Sequence, residues 1–128
     1  MFHVGTLVVR PQSAKLTIST ETFGKMDPYV KISCGSNNSQ TAVAEDQHKT
    51  PTWSDSFVYK VTGEQTLTAV VWEKDNISKD DLIGETTVQL SEVYMAKNVS
   101  KWYELRKGGQ VTGQLLISFE YYPEGQAR

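Results

Sequence analysis

Cysteine occurs once in this chain, at Cys34, so neither an internal disulfide nor a cysteine-based zinc cluster is open to it. Long apolar runs are missing, and nothing approaches the roughly 20 residues of a spanning helix. The opening stretch, MFHVGTLVVR, has no basic leader before its short apolar segment, so no secretory signal is expected. An excess of one charge is missing as well. Thirteen Lys and Arg against 15 Asp and Glu leave a formal −2, which argues against a nucleic-acid binder working by phosphate neutralisation. No Ser/His/Asp or Cys/His grouping recommends itself, and no glycine-rich phosphate loop opens a helix, so no enzyme chemistry is expected. A cytosolic, non-enzymatic setting fits these absences best.

What is present suits one folded domain. The length is 128 residues, with 38% apolar and 22% charged side chains, enough for a single core. Period-two segments recur along it: GTLVVR (5–10), YVKISC (29–34), QTAVA (40–44), SFVYKV (56–61), TLTAVVWE (66–73), LIGETTVQL (82–90), KWYELR (101–106) and GQLLISFEYY (113–122). Only SEVYMAKN (91–98) reads as a short helix, with Ser91 as its cap and Glu92 in its first turn. Eight short strands separated by Gly, Pro, Asn and Ser predict an all-β, eight-stranded antiparallel β-sandwich. One domain over 1–128 is expected, its core at about 5–122 and a frayed tail at 123–128.

Connections in a sandwich cluster at its two ends, and two connections here are acidic. STETFGKMDPYV (19–30) holds Glu21 and Asp27, and VVWEKDNISKDDLIGE (70–85) holds Glu73, Asp75 and Asp81. On a shared rim these five carboxylates repel one another unless a cation sits among them. A hard, oxygen-loving divalent ion is the natural occupant. Calcium, with about 6–8 oxygens in loose geometry, suits irregular loops better than magnesium does. The plainer alternative is a pair of solvated loops, with Asp27 before Pro28 as ordinary turn chemistry. An EF-hand fails: counting from Asp75, Ile77 is third, Lys79 is fifth, and no glycine is sixth.

GKMDPYVK, HKTPTWSDSF, VVWEKDNISKDDLIGE and WYEL, in this order and spacing, resemble the calcium- and phospholipid-binding C2 domain from about Gly5 to Tyr122. The strand order along the chain is similar to the phospholipase-type (type II) arrangement. The resemblance implies calcium-binding loops at one end, with Glu21, Asp27, Glu73, Asp75 and Asp81 as metal ligands. Glu21 and Glu73 stand where the family usually has aspartate. The added methylene moves the oxygens, so weaker affinity or fewer ions is implied. Asp80 and Glu85 match no family ligand and read as solvated neighbours.

The resemblance further implies a peripheral module for anionic, phosphatidylserine-type membranes. Two calcium ions would bring the five-carboxylate rim from −5 to −1 and leave coordination sites for lipid phosphate. Phe23 and Ile77 are candidate inserting tips, and Lys25 and Lys79 candidate headgroup contacts. The plainer reading packs Phe23 and Ile77 against their own loops. The strand that carries a lysine-rich phosphoinositide site in many members is poor here: residues 36–50 hold Lys49 and His48 against Glu45 and Asp46. Calcium-independent docking of a protein partner on the same fold is the competing function. Trp72 and Trp102 read as packing residues. His3, His48 and Cys34 read as structural.

Overall fold

The computed structural model describes residues 3–21 and 23–125. Among them, eight antiparallel strands alternate in direction along the chain: β1 (Val4–Leu16), β2 (Pro28–Cys34), β3 (Asn37–Gln40), β4 (Phe57–Thr62), β5 (Thr66–Glu73), β6 (Asp81–Gln89), β7 (Asn98–Lys107) and β8 (Gln110–Pro123). A single helix, α1 (Ser91–Ala96), joins β6 to β7. The spatial order is β3-β2-β5-β6-β7-β8-β1-β4. Between β6 and β7 only Glu85 and Arg106 are in register. At that thin seam the sheet folds into two layers, β3-β2-β5-β6 against β7-β8-β1-β4. The far edges meet again, where the Asn37 amide donates to the Lys60 carbonyl oxygen at 3.3 Å. The result is a nearly closed sandwich.

Alternation builds its core. Val30, Ile32 and Cys34 of β2, Leu67, Ala69 and Val71 of β5, and Leu115, Ile117, Phe119 and Tyr121 of β8 are all buried in one cluster. Strand alternation puts every second side chain on the inner face. Trp53 closes the cluster near the loop end, and its indole N–H donates to the Pro28 carbonyl oxygen at 3.2 Å.

Because directions alternate, the β1–β2, β3–β4, β5–β6 and β7–β8 connections share one pole. The β1–β2 loop (17–27), the β3–β4 loop (41–56) and the β5–β6 loop (74–80) matter here; we call them loops 1, 2 and 3. The opposite pole carries α1 and the beginning of β1.

Several boundaries differ from expectation. The third strand lies at Asn37–Gln40, not 40–44. Thr41 ends it: its N–H still donates to the Val30 carbonyl oxygen at 2.9 Å, but its hydroxyl, not its carbonyl, accepts the Val30 N–H at 2.9 Å and donates to the Ala42 carbonyl oxygen at 2.8 Å. The helix stops at Ala96, and β7 already starts at Asn98. Leu90 rather than Ser91 occupies the N-cap position, with no side-chain cap bond. Trp102 is 39% exposed, with the Lys15 ammonium 4.6 Å over its ring, so it is a surface residue and not a core one.

Candidate functional site

Strand register gathers the acidic positions. Pro28, next to Asp27, pairs with Glu73, and Glu73 pairs on its other side with Asp81. The ends of β2, β5 and β6 therefore stand side by side, about 5 Å apart across each antiparallel pair. Loop 1 is stitched to both neighbours. The Lys74 N–H donates to the Asp27 carbonyl oxygen at 3.0 Å, fixing loop 1 to loop 3. Towards loop 2, the Asp46 N–H donates to Asp27 Oδ1 at 2.7 Å. His48 Nδ1 accepts the Met26 N–H at 3.1 Å, and the His48 N–H donates to the Met26 carbonyl oxygen at 3.0 Å. Between loops 2 and 3 lies an open bowl of about 330 Å³ lined by Asp27, Val43, Glu45, Asp46, Lys74 and Asn76.

Each predicted carboxylate has a definite place. Glu73 is fully buried. Its Oε1 accepts the Thr20 hydroxyl at 3.0 Å and its Oε2 the Asp27 N–H at 3.2 Å. Burial raises its pKa first; the two hydrogen bonds pull it back, and the nearby charges of Glu21 and Asp27 push it up again. Glu21, Asp27 and Glu73 thus feel one another.

Asp75 faces its own loop. Its Oδ1 accepts the N–H groups of Ile77 (2.8 Å) and Ser78 (3.1 Å), and its Oδ2 the Ser78 hydroxyl (3.1 Å). These bonds hold its pKa below the usual aspartate value. They also form an Asx-type turn that carries Ile77 to the tip. Asp81 is half-buried at the start of β6.

The tips stand clear. Phe23 is 88% exposed and Ile77 98%, so neither packs against its own loop. Lys25 and Lys79 are exposed beside them.

Asp80 is not the solvated neighbour it resembles. It accepts the Tyr29 phenol and, through Oδ1, the Asp75 N–H at 3.0 Å, with the Lys74 ammonium 4.0 Å away. The Tyr29 bond leads the causes that lower its pKa, while burial leads those that push the Tyr29 phenol up to about 12. Asp80 thus fastens loop 3 to β2. Sequence reading missed it, as it missed Thr20 and Asp46, because pairing across loops leaves no spacing signal; His48, read as structural, is so.

The donor set is all oxygen and suits a hard divalent cation in kind. As the chain stands, though, no three Asp, Glu, His or Cys side chains among the described residues form a ready metal site. Backbone and hydroxyl donors engage oxygens of Asp27, Glu73 and Asp75.

An eight-stranded antiparallel sandwich with acidic loops gathered at one pole is the architecture of this chain. The chain belongs to the C2 domain family, whose model matches residues 5–105. It is similar to the 16 kDa phloem protein 2 of Arabidopsis thaliana, with 31% identity over 93% of this chain and 82% of that one. Synaptotagmin-B of Diplobatis ommata is 32% identical over 88% of this chain and 28% of its own length. Among solved structures, a C2 domain-containing protein of 30% identity superposes with a TM-score of 0.85 over 98% of this chain and 94% of its own. The calcium-bound tandem C2 domains of extended-synaptotagmin 2, at 24% identity, share the fold with a TM-score of 0.82 over 94% of this chain and 46% of theirs. No helix among the described residues is long and apolar enough to cross a membrane.

Proposed function

We propose that this C2 domain binds anionic phospholipid surfaces in a calcium-dependent manner through loops 1 and 3, as a peripheral cytoplasmic module. The observation that carries the reading is the pair of bare apolar tips, Phe23 and Ile77, on the two loops that bracket the acidic strand ends. Such side chains in water are costly unless a surface receives them. Beneath them five carboxylates keep an anionic membrane away until a cation intervenes. Glu21, Asp27, Asp75 and Asp81 are the groups that would hold it, with the Glu73 charge beneath them. The ion supplies positive charge and open coordination positions for lipid phosphate oxygens. The chain's own residues orient the tips, through the Asp75 turn, and hold the loops together, through Asp46, His48 and Asp80. Lys25 and Lys79 add attraction to headgroups.

Vesicle sedimentation tests this reading. Phosphatidylserine-containing vesicles should pellet the protein with calcium and not with chelator, and Asp27→Asn or Asp75→Asn should abolish the difference. Asparagine at 75 can still accept the Ile77 and Ser78 N–H bonds through its carbonyl oxygen, so that variant removes charge while sparing the turn. Equal binding with and without calcium overturns the proposal.

A second reading, calcium-independent docking of a protein partner, is favoured by one observation: Glu73 is fully buried with both oxygens turned to protein donors, so its charge does not open onto the rim. Calorimetry at millimolar calcium, with and without lipid, separates the two. Absence of heat in both settings favours the second.

A further inference from the structure

We propose that Glu73 is a positioning residue, tying loop 1 to the end of β5 from below, and not a direct ligand of the cation. The inference deepens the calcium reading above and rests on it only for the cation's part. Glu73 closes a short internal bridge: the Thr20 hydroxyl donates to one oxygen at 3.0 Å and the Asp27 N–H to the other at 3.2 Å. The side chain is fully buried, so its carboxylate lies under the rim and does not open onto it. Thr20 and Asp27 flank the loop 1 segment that carries Glu21 and Phe23. One carboxylate therefore pins both feet of that segment to the strand that also launches loop 3.

Chain length explains why glutamate does this. The carboxylate must reach two donors on another loop from a backbone position in register with Pro28. Aspartate, one methylene shorter, keeps the charge but draws the oxygens back towards β5. Glutamine keeps the length but loses one acceptor. Its amide oxygen can take the Asp27 N–H and its NH₂ can turn to the Thr20 hydroxyl, which accepts, so what glutamine removes is the charge on the acceptor.

The Asp27 amide is the reporter. In chelator, its hydrogen exchange in the wild-type chain should be slow, since its acceptor is buried and charged. Glu73→Asp, which draws the acceptor back, should speed that exchange by at least about tenfold, and Glu73→Gln, which leaves a neutral acceptor, should speed it by a smaller factor. Thr20→Val, which touches neither Asp27 nor a carboxylate other than Glu73, should speed it by a smaller factor. In calorimetry, Glu73→Gln should keep the wild-type number of bound ions but need more calcium for half-saturation, because Asp27 is held less firmly. Unchanged Asp27 exchange in both Glu73→Asp and Glu73→Gln overturns the proposal. So does loss of a bound ion with exchange unchanged, which makes Glu73 a ligand. Faster exchange with an unmoved calcium midpoint leaves a merely structural bond and overturns the positioning role. No heat of calcium binding in the wild type sinks the calcium reading instead, and the exchange rates in chelator then decide alone whether the bridge exists.

Discussion

Removing the two bare tips is the sharpest test of how the rim meets a surface. Phe23 and Ile77 begin at 88% and 98% exposure, so almost the whole transfer energy of each side chain is still available. Full burial of such a side chain contributes about 1.5–3 kcal/mol. At about 1.4 kcal/mol per tenfold, Phe23→Ser or Ile77→Ser alone should weaken vesicle binding about tenfold to a hundredfold. The tips stand on separate loops, and no hydrogen bond joins loops 1 and 3 through either side chain. The losses should therefore add in the double variant, giving roughly a hundredfold or more. Stability should hardly move, because exposed positions free of special contacts shift it by about 0.5 kcal/mol at most. The assay is partitioning into phosphatidylserine-containing vesicles at saturating calcium, with urea denaturation in chelator as the control. A double variant that partitions within about threefold of wild type, with its stability intact, refutes insertion and leaves the interaction purely electrostatic.

Tyr29→Phe removes the phenol that fastens Asp80. It should loosen loop 3 and raise the calcium needed for half-maximal vesicle binding while leaving the sandwich folded; an unmoved midpoint in a calcium titration argues against the latch. Gly113→Ala should cost more than about 2 kcal/mol in urea denaturation, because its Cβ would stand 2.3 Å from the Lys15 carbonyl oxygen, where β8 crosses β1 and backbone cannot step aside. In acid, Asp75 and Asp80 have folded pKa values below the ordinary 3.8, so their stabilising effect is present above 3.8 and is lost only as pH falls through the lowered values. Carboxyl NMR titration in chelator should show both titrating later than ordinary aspartates as pH falls. Glu73 has the opposite sign. Its pKa is raised above 4.5, so its ionisation costs stability as pH climbs through that window, and Glu73→Gln should flatten this part of the stability profile.

The sandwich was legible because alternation of Leu115, Ile117, Phe119 and Tyr121, and of Leu67, Ala69 and Val71, is the direct imprint of an inner face. The acidic rim was legible because five carboxylates sat in two connections of one antiparallel pattern. What local pattern could not reveal was pairing across the chain. QTAVA has better strand character than NNSQ, yet β2 pairs with Asn37–Gln40, and the Thr41 side chain closes the ladder there. Pro11 reads as the end of β1, but it lies past the last β4 partner, Val9, beside a bulge between Pro11 and Ser13. There the strand leaves β4 and continues along β8, with residues 49–53 of loop 2 on its other side, and proline is tolerated at that break. At the rim, Asp80 and Thr20 gain their roles only from groups 51 and 53 residues away.

Those distant pairings decide what kind of switch this rim can be. Loops 1, 2 and 3 are already joined by the Lys74–Asp27 backbone bond, the Asp46 and His48 contacts and the Asp80 latch. A cation arriving at such a rim does not have to order it, so little of its binding energy is spent on conformational entropy. Its effect falls instead on charge, where each ion offsets two of the five carboxylates that repel an anionic surface. Carboxylate oxygens that already accept a protein hydrogen bond keep a second lone pair, so ion and loop bonds can coexist at Asp27 and Asp75. Two features then belong together. The Ile77 tip is held out by the Asp75 turn within its own loop, and on the proposed function the affinity of the rim depends on how firmly its feet are tied. On this reading the exchange of glutamate for aspartate at position 73 moves a charge from the rim's face to its foundation. The proposed site then has one ligand fewer, and loop 1 has a tie of its own to the end of β5.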